Sequence, residues 1–138
     1  MTVGFPKPRR GSAVLEREKK RKDIEDRQAE IIKAAKARDG YRCRWPEAHK
    51  CRGLLEGAHI EAKGMGGDHG ERTYTGNIIT LCAWIHRRGP DSLEHHQLRI
   101  ETETERGADG PLSFWREGKD GKWYCVGREL AVGILCRD

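Results

Sequence analysis

Between Ser12 and about Arg38 the chain is a run of strong helix formers, and Ile24, Ile31, Ile32 and Ala35 mark an apolar stripe that is weak in the first half and stronger in the second. The spacing predicts one long helix with Ser12 as its N-cap and Asp39-Gly40 as its end, packed on the domain only from about residue 24 onward. Residues 1–11 have two prolines and no period, so they read as an extended arm. Tyr41 to Gly53 is loop-like, and Leu54 to Glu61 predicts a short strand with His59 near its end. A glycine-rich loop runs from Gly64 to Gly76, Asn77 to Leu81 predicts a second strand, and Cys82 to Arg88 about two turns of helix stopped by Gly89-Pro90. LSFWRE and KWYCVGRE flank Gly118-Lys119-Asp120-Gly121, which reads as a β-hairpin. The divisions are an arm (1–11), a basic helix (12–38), a core (39–92) and a C-terminal extension with the hairpin (93–138) packed on the core as one domain.

The length, 138 residues, suits one domain. Only 36% of residues are apolar and another 36% are charged, so the buried core is small and a metal or a partner is expected to help hold it. No run of about 18 apolar residues occurs, and the first ten residues carry charge where a signal peptide needs apolar side chains. The expectation is a cytoplasmic protein with no membrane span. Five cysteines, odd in number and scattered, do not suit a disulfide framework and read as thiols or metal ligands. The net charge of +5 is an N-terminal property, because the first 38 residues sum to +6 and the remainder to −1. Lys19, Lys20, Arg21 and Lys22 are candidates to grip a phosphate backbone. Taken alone, the same segment reads as a solvated helix face with Glu16, Glu18 and Asp23 as ordinary partners.

The chemistry concentrates on His59 near the end of the first strand, Asn77 where the second begins, and His86 on the helix nine residues later. With CRWPEAHKC, GAHIEAKGMGG and NIITLCAWIH around them, residues 38 to 90 resemble an HNH endonuclease of the ββα-metal (His-Me finger) type, of the small kind found in phage genomes. The chemistry of phosphodiester hydrolysis asks for these residue types. A base must take a proton from water, and a cation must neutralise charge on the phosphorus oxygens and the leaving oxygen. Imidazole, mostly neutral at cytoplasmic pH, suits the first task and makes His59 the candidate general base. His86 suits ligation of a divalent ion, Mg2+ or Mn2+ with Ni2+ and Zn2+ as alternatives. Asn77 either pins the long loop and so orients His59, or offers its carbonyl oxygen to the ion. The resemblance implies the same roles, products with a 5′ phosphate and a 3′ hydroxyl, and a place beside a phage terminase in the host cytoplasm.

Two departures from that pattern matter. The residue before the general-base histidine is commonly an aspartate or histidine that completes the metal site, and here it is Ala58. Glu56, Asp68 and His69 are the candidates to replace it, Glu56 because strand alternation puts it on the face of Ala58. Many relatives also hold a structural zinc with two C-x2-C pairs, which this chain lacks. Cys43, His49, Cys51 and Cys82 can still form a tetrahedral set, against the alternative that they are buried free thiols. Arg87 and Arg88 are further candidates for backbone contact with DNA, and such contacts imply little sequence preference. His95-His96 read as exposed and non-catalytic. Trp115, Trp123 and Tyr124 either stack on bases or, more simply, pack on the domain body.

The sequence therefore points to an α+β protein with a ββα-metal core, a long N-terminal helix and a C-terminal β-hairpin, acting as a metal-dependent HNH endonuclease on DNA. The alternatives are a non-hydrolytic DNA-binding or terminase-accessory module with a degenerate site, and a subunit whose site a partner completes.

Overall fold

A computed structural model describes Gly4, residues 11–61, residues 72–129 and the backbone of Leu135–Cys136. Helix α1 spans Ser12–Arg38 without a glycine or proline to interrupt it. Its N-cap is Gly11, not Ser12, and no side chain caps it; the Gly11 carbonyl accepts from Val14 and Leu15. The C-terminus closes as a Schellman motif. Gly40, at φ 67, donates to the Ala37 carbonyl, and Tyr41 donates to Lys36, satisfying carbonyls that a helix end leaves open. Residues 12–23 are exposed, and packing begins at Ile24 and culminates in fully buried Ala35, as the stripe predicts.

Two small antiparallel sheets complete the α+β architecture. In the first, β1 (Leu55–His59) pairs with β2 (Ile78–Cys82), setting Ala58 opposite Ile79 and His59 opposite Ile78. A Cβ on Gly57 would stand 2.7 Å from Ile32 Cγ2, so the missing side chain is what lets α1 lie against this sheet. The second sheet has the order β3-β4-β5-β6, with β3 Leu98–Thr102, β4 Leu112–Glu117, β5 Trp123–Glu129 and β6 Leu135–Cys136. The expected hairpin is therefore β4–β5, turned at Gly118 to Lys122 with Gly121 at φ 77, but it is the centre of a four-stranded sheet. β3 lies in what reads as a polar stretch, and its Leu98 and Ile100 are buried while Arg99 and Glu101 face out. The bulge after Phe114 skips Val126 and brings Trp115 opposite Cys125.

The core lies between the sheets. Ala58, Ile79, Leu81 and Ile85 pack with Leu98, Ile100, Leu112 and Phe114, and Trp45 meets Phe114 edge-on with centroids 5.4 Å apart. After β2 the chain makes one wide turn, Trp84–Arg88, closed by the Gly89 N–H on the Trp84 carbonyl five residues back. The two turns of helix expected from Cys82 onward are thus corrected to this single turn. Cys82 belongs to β2, and Pro90 has no N–H with which to continue. No helix among the described residues is long and apolar enough to cross a membrane.

Candidate active site and metal centre

Cys43, His49, Cys51 and Cys82 come together, with all four ligand atoms within 4.8 Å of one another. Backbone bonds from Arg44 to the Thr80 carbonyl, from Ala83 to Leu54 and from Trp84 to Arg52 bind residues 43–54 along the end of β2, which is what assembles the set. His49 Nε2 is 3.5 Å from the Cys43 sulfur, 3.3 Å from that of Cys51 and 3.6 Å from that of Cys82. His49 Nδ1 donates to the Glu47 carbonyl at 2.7 Å, which fixes the tautomer and leaves Nε2 as a lone-pair donor toward the three sulfurs. Burial pushes the Cys82 thiol up, but hydrogen bonds from the Ile85 and Arg52 backbone outweigh it and bring the group down to about 7. Burial raises Cys43 to about 12. One sulfur of the set thus already accepts bonds suited to a thiolate, and the cluster can bind a metal ion.

The second group of predicted residues gathers around a cavity of about 590 Å3. His59 and His86 both line it, from the end of β1 and from the wide turn. His59 Nε2 shares a hydrogen bond of 3.0 Å with the hydroxyl of buried Thr73. Asn77 is buried and closes the long loop at its two ends: Oδ1 accepts from the Glu61 N–H at 2.8 Å, and Nδ2 donates to the carbonyls of Glu61 and Arg72 at 3.0 and 2.7 Å. Of the two roles open to Asn77, these bonds favour pinning the loop.

Ala58 is fully buried among core residues, so nothing at that position reaches the cavity. Glu56, two residues earlier, touches His86 Nδ1 at 3.0 Å and is held by Arg87, whose Nη2 is 2.7 Å from Oε2. The Arg87 guanidinium, with the His86 ring behind it, keeps the Glu56 carboxyl down at about 2 against the opposing effect of burial. Arg87 is thereby engaged by Glu56 although it is exposed, and Arg88 is exposed as well. Lys19, Lys20, Arg21 and Lys22 lie on the exposed half of α1, where Arg21 pairs loosely with Glu25 at 3.5 Å. Asp68 and His69 lie outside the described residues.

The cavity also contains residues to which the sequence assigns no role there: Glu94, His96, Arg99 and Trp123. His96 is exposed, as the sequence predicts, and lies on the cavity wall with φ 58, and the Arg99 guanidinium stacks 4.4 Å from the Trp123 ring. Only the paired histidines could have drawn notice in the sequence; Glu94 and Arg99 carry no signal in their spacing. Comparison with protein-family models, with curated proteins and with solved structures returns no match.

Proposed function

We propose that the protein is a metal-dependent phosphodiesterase of the HNH type acting on DNA. The observation that carries the reading is that His59 and His86, far apart in sequence, line one cavity, each with its ring held by a partner of fixed position, Thr73 and Glu56. His59 takes the proton of the attacking water. Asn77 keeps the loop ends together so that the His59 ring does not wander. His86 keeps its Nδ1 on Glu56, so its Nε2 lone pair is directed to the ligand side. His86 would hold a divalent ion, which when bound would supply positive charge for the phosphate oxygens and the leaving oxygen. Lys19, Lys20, Arg21, Lys22 and Arg88 supply contact to the backbone of DNA, which carries no sequence information.

The Cys/His cluster is the structural centre of the same reading. Bond lengths of about 2.3 Å to sulfur and about 2.0 Å to nitrogen at tetrahedral angles place S···N edges at about 3.5 Å, so the 3.3–3.6 Å edges here suit zinc bound by three thiolates and one imidazole. A phage origin and a terminase partner rest on the resemblance alone.

The test is cleavage of supercoiled plasmid by the full chain in EDTA and then with Mg2+, Mn2+, Ni2+ or Zn2+ restored, beside His59→Ala. Metal-dependent nicking or linearisation, lost in the variant, is the expected result. A folded protein that shifts DNA but cuts it with no ion would replace this reading with the non-hydrolytic one, which the buried Ala58 favours.

A further inference from the structure

Position 58 provides no ligand, yet a carboxylate from a different part of the chain faces the free side of the His86 ring. Glu94 Oε1 stands 3.5 Å from His86 Nε2, on the side of the ring opposite Glu56. The approach is built into the backbone. After Gly89-Pro90 the chain folds back, and the N–H groups of Leu93 and Glu94 donate to the carbonyls of Ile85 and His86 at 2.9 and 3.0 Å. Glu94 is thus tied to His86 by its main chain as well as facing it with its side chain.

With Nδ1 engaged by Glu56, Nε2 is the ring nitrogen left to face the Glu94 carboxylate across 3.5 Å. A cation, whether a proton or a metal ion, is what joins two such ligand atoms. Two ligands each about 2.1 Å from one ion stand about 3.0 to 3.4 Å apart at octahedral or tetrahedral angles, close to the separation found. The Glu94 side chain is 59% exposed and free to make the small adjustment. The cavity supplies room for waters and a phosphate beside the pair, and His59 and His96 on its wall face the same space.

We propose that Glu94, together with His86 Nε2, binds the divalent ion of the cavity and so takes the place of the ligand that Ala58 lacks. A carboxylate and an imidazole with open remaining positions make a site for Mn2+ or Mg2+, which keep waters and accept phosphate oxygens. The assignment rests on the phosphodiesterase reading for its purpose, but the binding can be measured without it.

The experiment titrates the full chain with Mn2+ and reads free Mn2+ by electron paramagnetic resonance. The samples are the wild type, Glu94→Gln, Glu94→Asp, His86→Ala and, as a control, Glu105→Gln; plasmid cleavage is run on all of them. The expected result is one Mn2+ per chain, a dissociation constant about tenfold or more higher in Glu94→Gln, partial recovery in Glu94→Asp, and no change in Glu105→Gln. No Mn2+ binding by the wild type, or equal binding by wild type and Glu94→Gln, overturns the assignment. Glu94-dependent binding with no cleavage by any sample leaves the ion site standing and removes the phosphodiesterase. Equal Mn2+ binding together with equal, metal-dependent cleavage by wild type and Glu94→Gln removes the Glu94 site and leaves the phosphodiesterase.

Discussion

Arg44 grips Glu129 with two parallel bonds, Nε to Oε2 at 2.8 Å and Nη2 to Oε1 at 2.6 Å. The pair links the loop after α1 to β5, and Arg44 also reaches Asp39 and the carbonyls of Ala108 and Gly110. With side chains only 16% and 14% exposed, neither charge has water to fall back on. Glu129→Gln is expected to cost about 2 kcal/mol, since it removes the bidentate counter-charge and leaves the guanidinium only Asp39, 3.2 Å from Nη1. Urea unfolding of the variant beside the wild type measures this; a loss below about 1 kcal/mol would show that the pair is screened after all.

The Cys/His cluster can bind a metal ion, and loss of an ion bound there should unfold more than the cluster. Residues 43–54 have few apolar anchors, and metal binding of this kind is coupled to folding. Cys82→Ser, or incubation with a strong chelator, is expected to lower the melting temperature and release one zinc per chain, read by a colorimetric zinc indicator. Intact melting after complete zinc release would speak for simple buried thiols.

The Glu56 carboxyl lies at about 2 in the folded protein, below its ordinary value near 4.5, because Arg87 and His86 favour the charged form. The folded state then binds fewer protons than the unfolded one. The contribution is therefore fully present above about 4.5 and is lost as pH falls from there toward 2. The stability gap between wild type and Glu56→Gln should narrow across that window in melts at pH 5, 4 and 3. A gap independent of pH would mean that the carboxylate's charge has no part in it.

Thr80, on β2, is fully buried, and its hydroxyl is the one buried side-chain polar atom among the described residues that lacks a hydrogen-bond partner. Thr80→Val keeps the shape and removes the polar atom, so stability should rise by about 1 kcal/mol in equilibrium denaturation. A loss of similar size would reveal a partner for the hydroxyl.

Gly107 combines two constraints: φ 61, and a position where a Cβ would collide with the Gly76 carbonyl just before Asn77. Gly107→Ala should destabilise by about 2 kcal/mol or more, because the neighbour is backbone and cannot swing aside. Near-wild-type melting would show that the segment before β2 yields easily.

Those elements whose signal is local were legible in the sequence. The stripe from Ile24 to Ala35 marks the packed half of α1, and the glycines at 118 and 121 mark the β4–β5 turn. Cys43, His49, Cys51 and Cys82 could be grouped because few residue types bind metals through sulfur and nitrogen, so chemistry narrowed the choice before geometry did. β3 has only two apolar residues in five and was hidden by the polar residues around it. Ser12 looked like a cap, but the helix begins one residue earlier without needing one. Glu94 was out of reach for a different reason: its relation to His86 depends on the chain folding back after Pro90, through backbone bonds that leave no pattern in residue type.

Among the described residues, helix α1 is held to the body of the molecule at one end only. Its 27 residues make a stiff rod about 40 Å long, and Lys22 stands about 20 Å along the axis from Ala35, where the rod is seated. That spacing equals about six base-pair steps of duplex rise. The four cations from Lys19 to Lys22 are therefore carried at a set reach, as on an outrigger, and adding or deleting one helical turn before Ile24 would move them by about 5.4 Å while the seat stayed where it is.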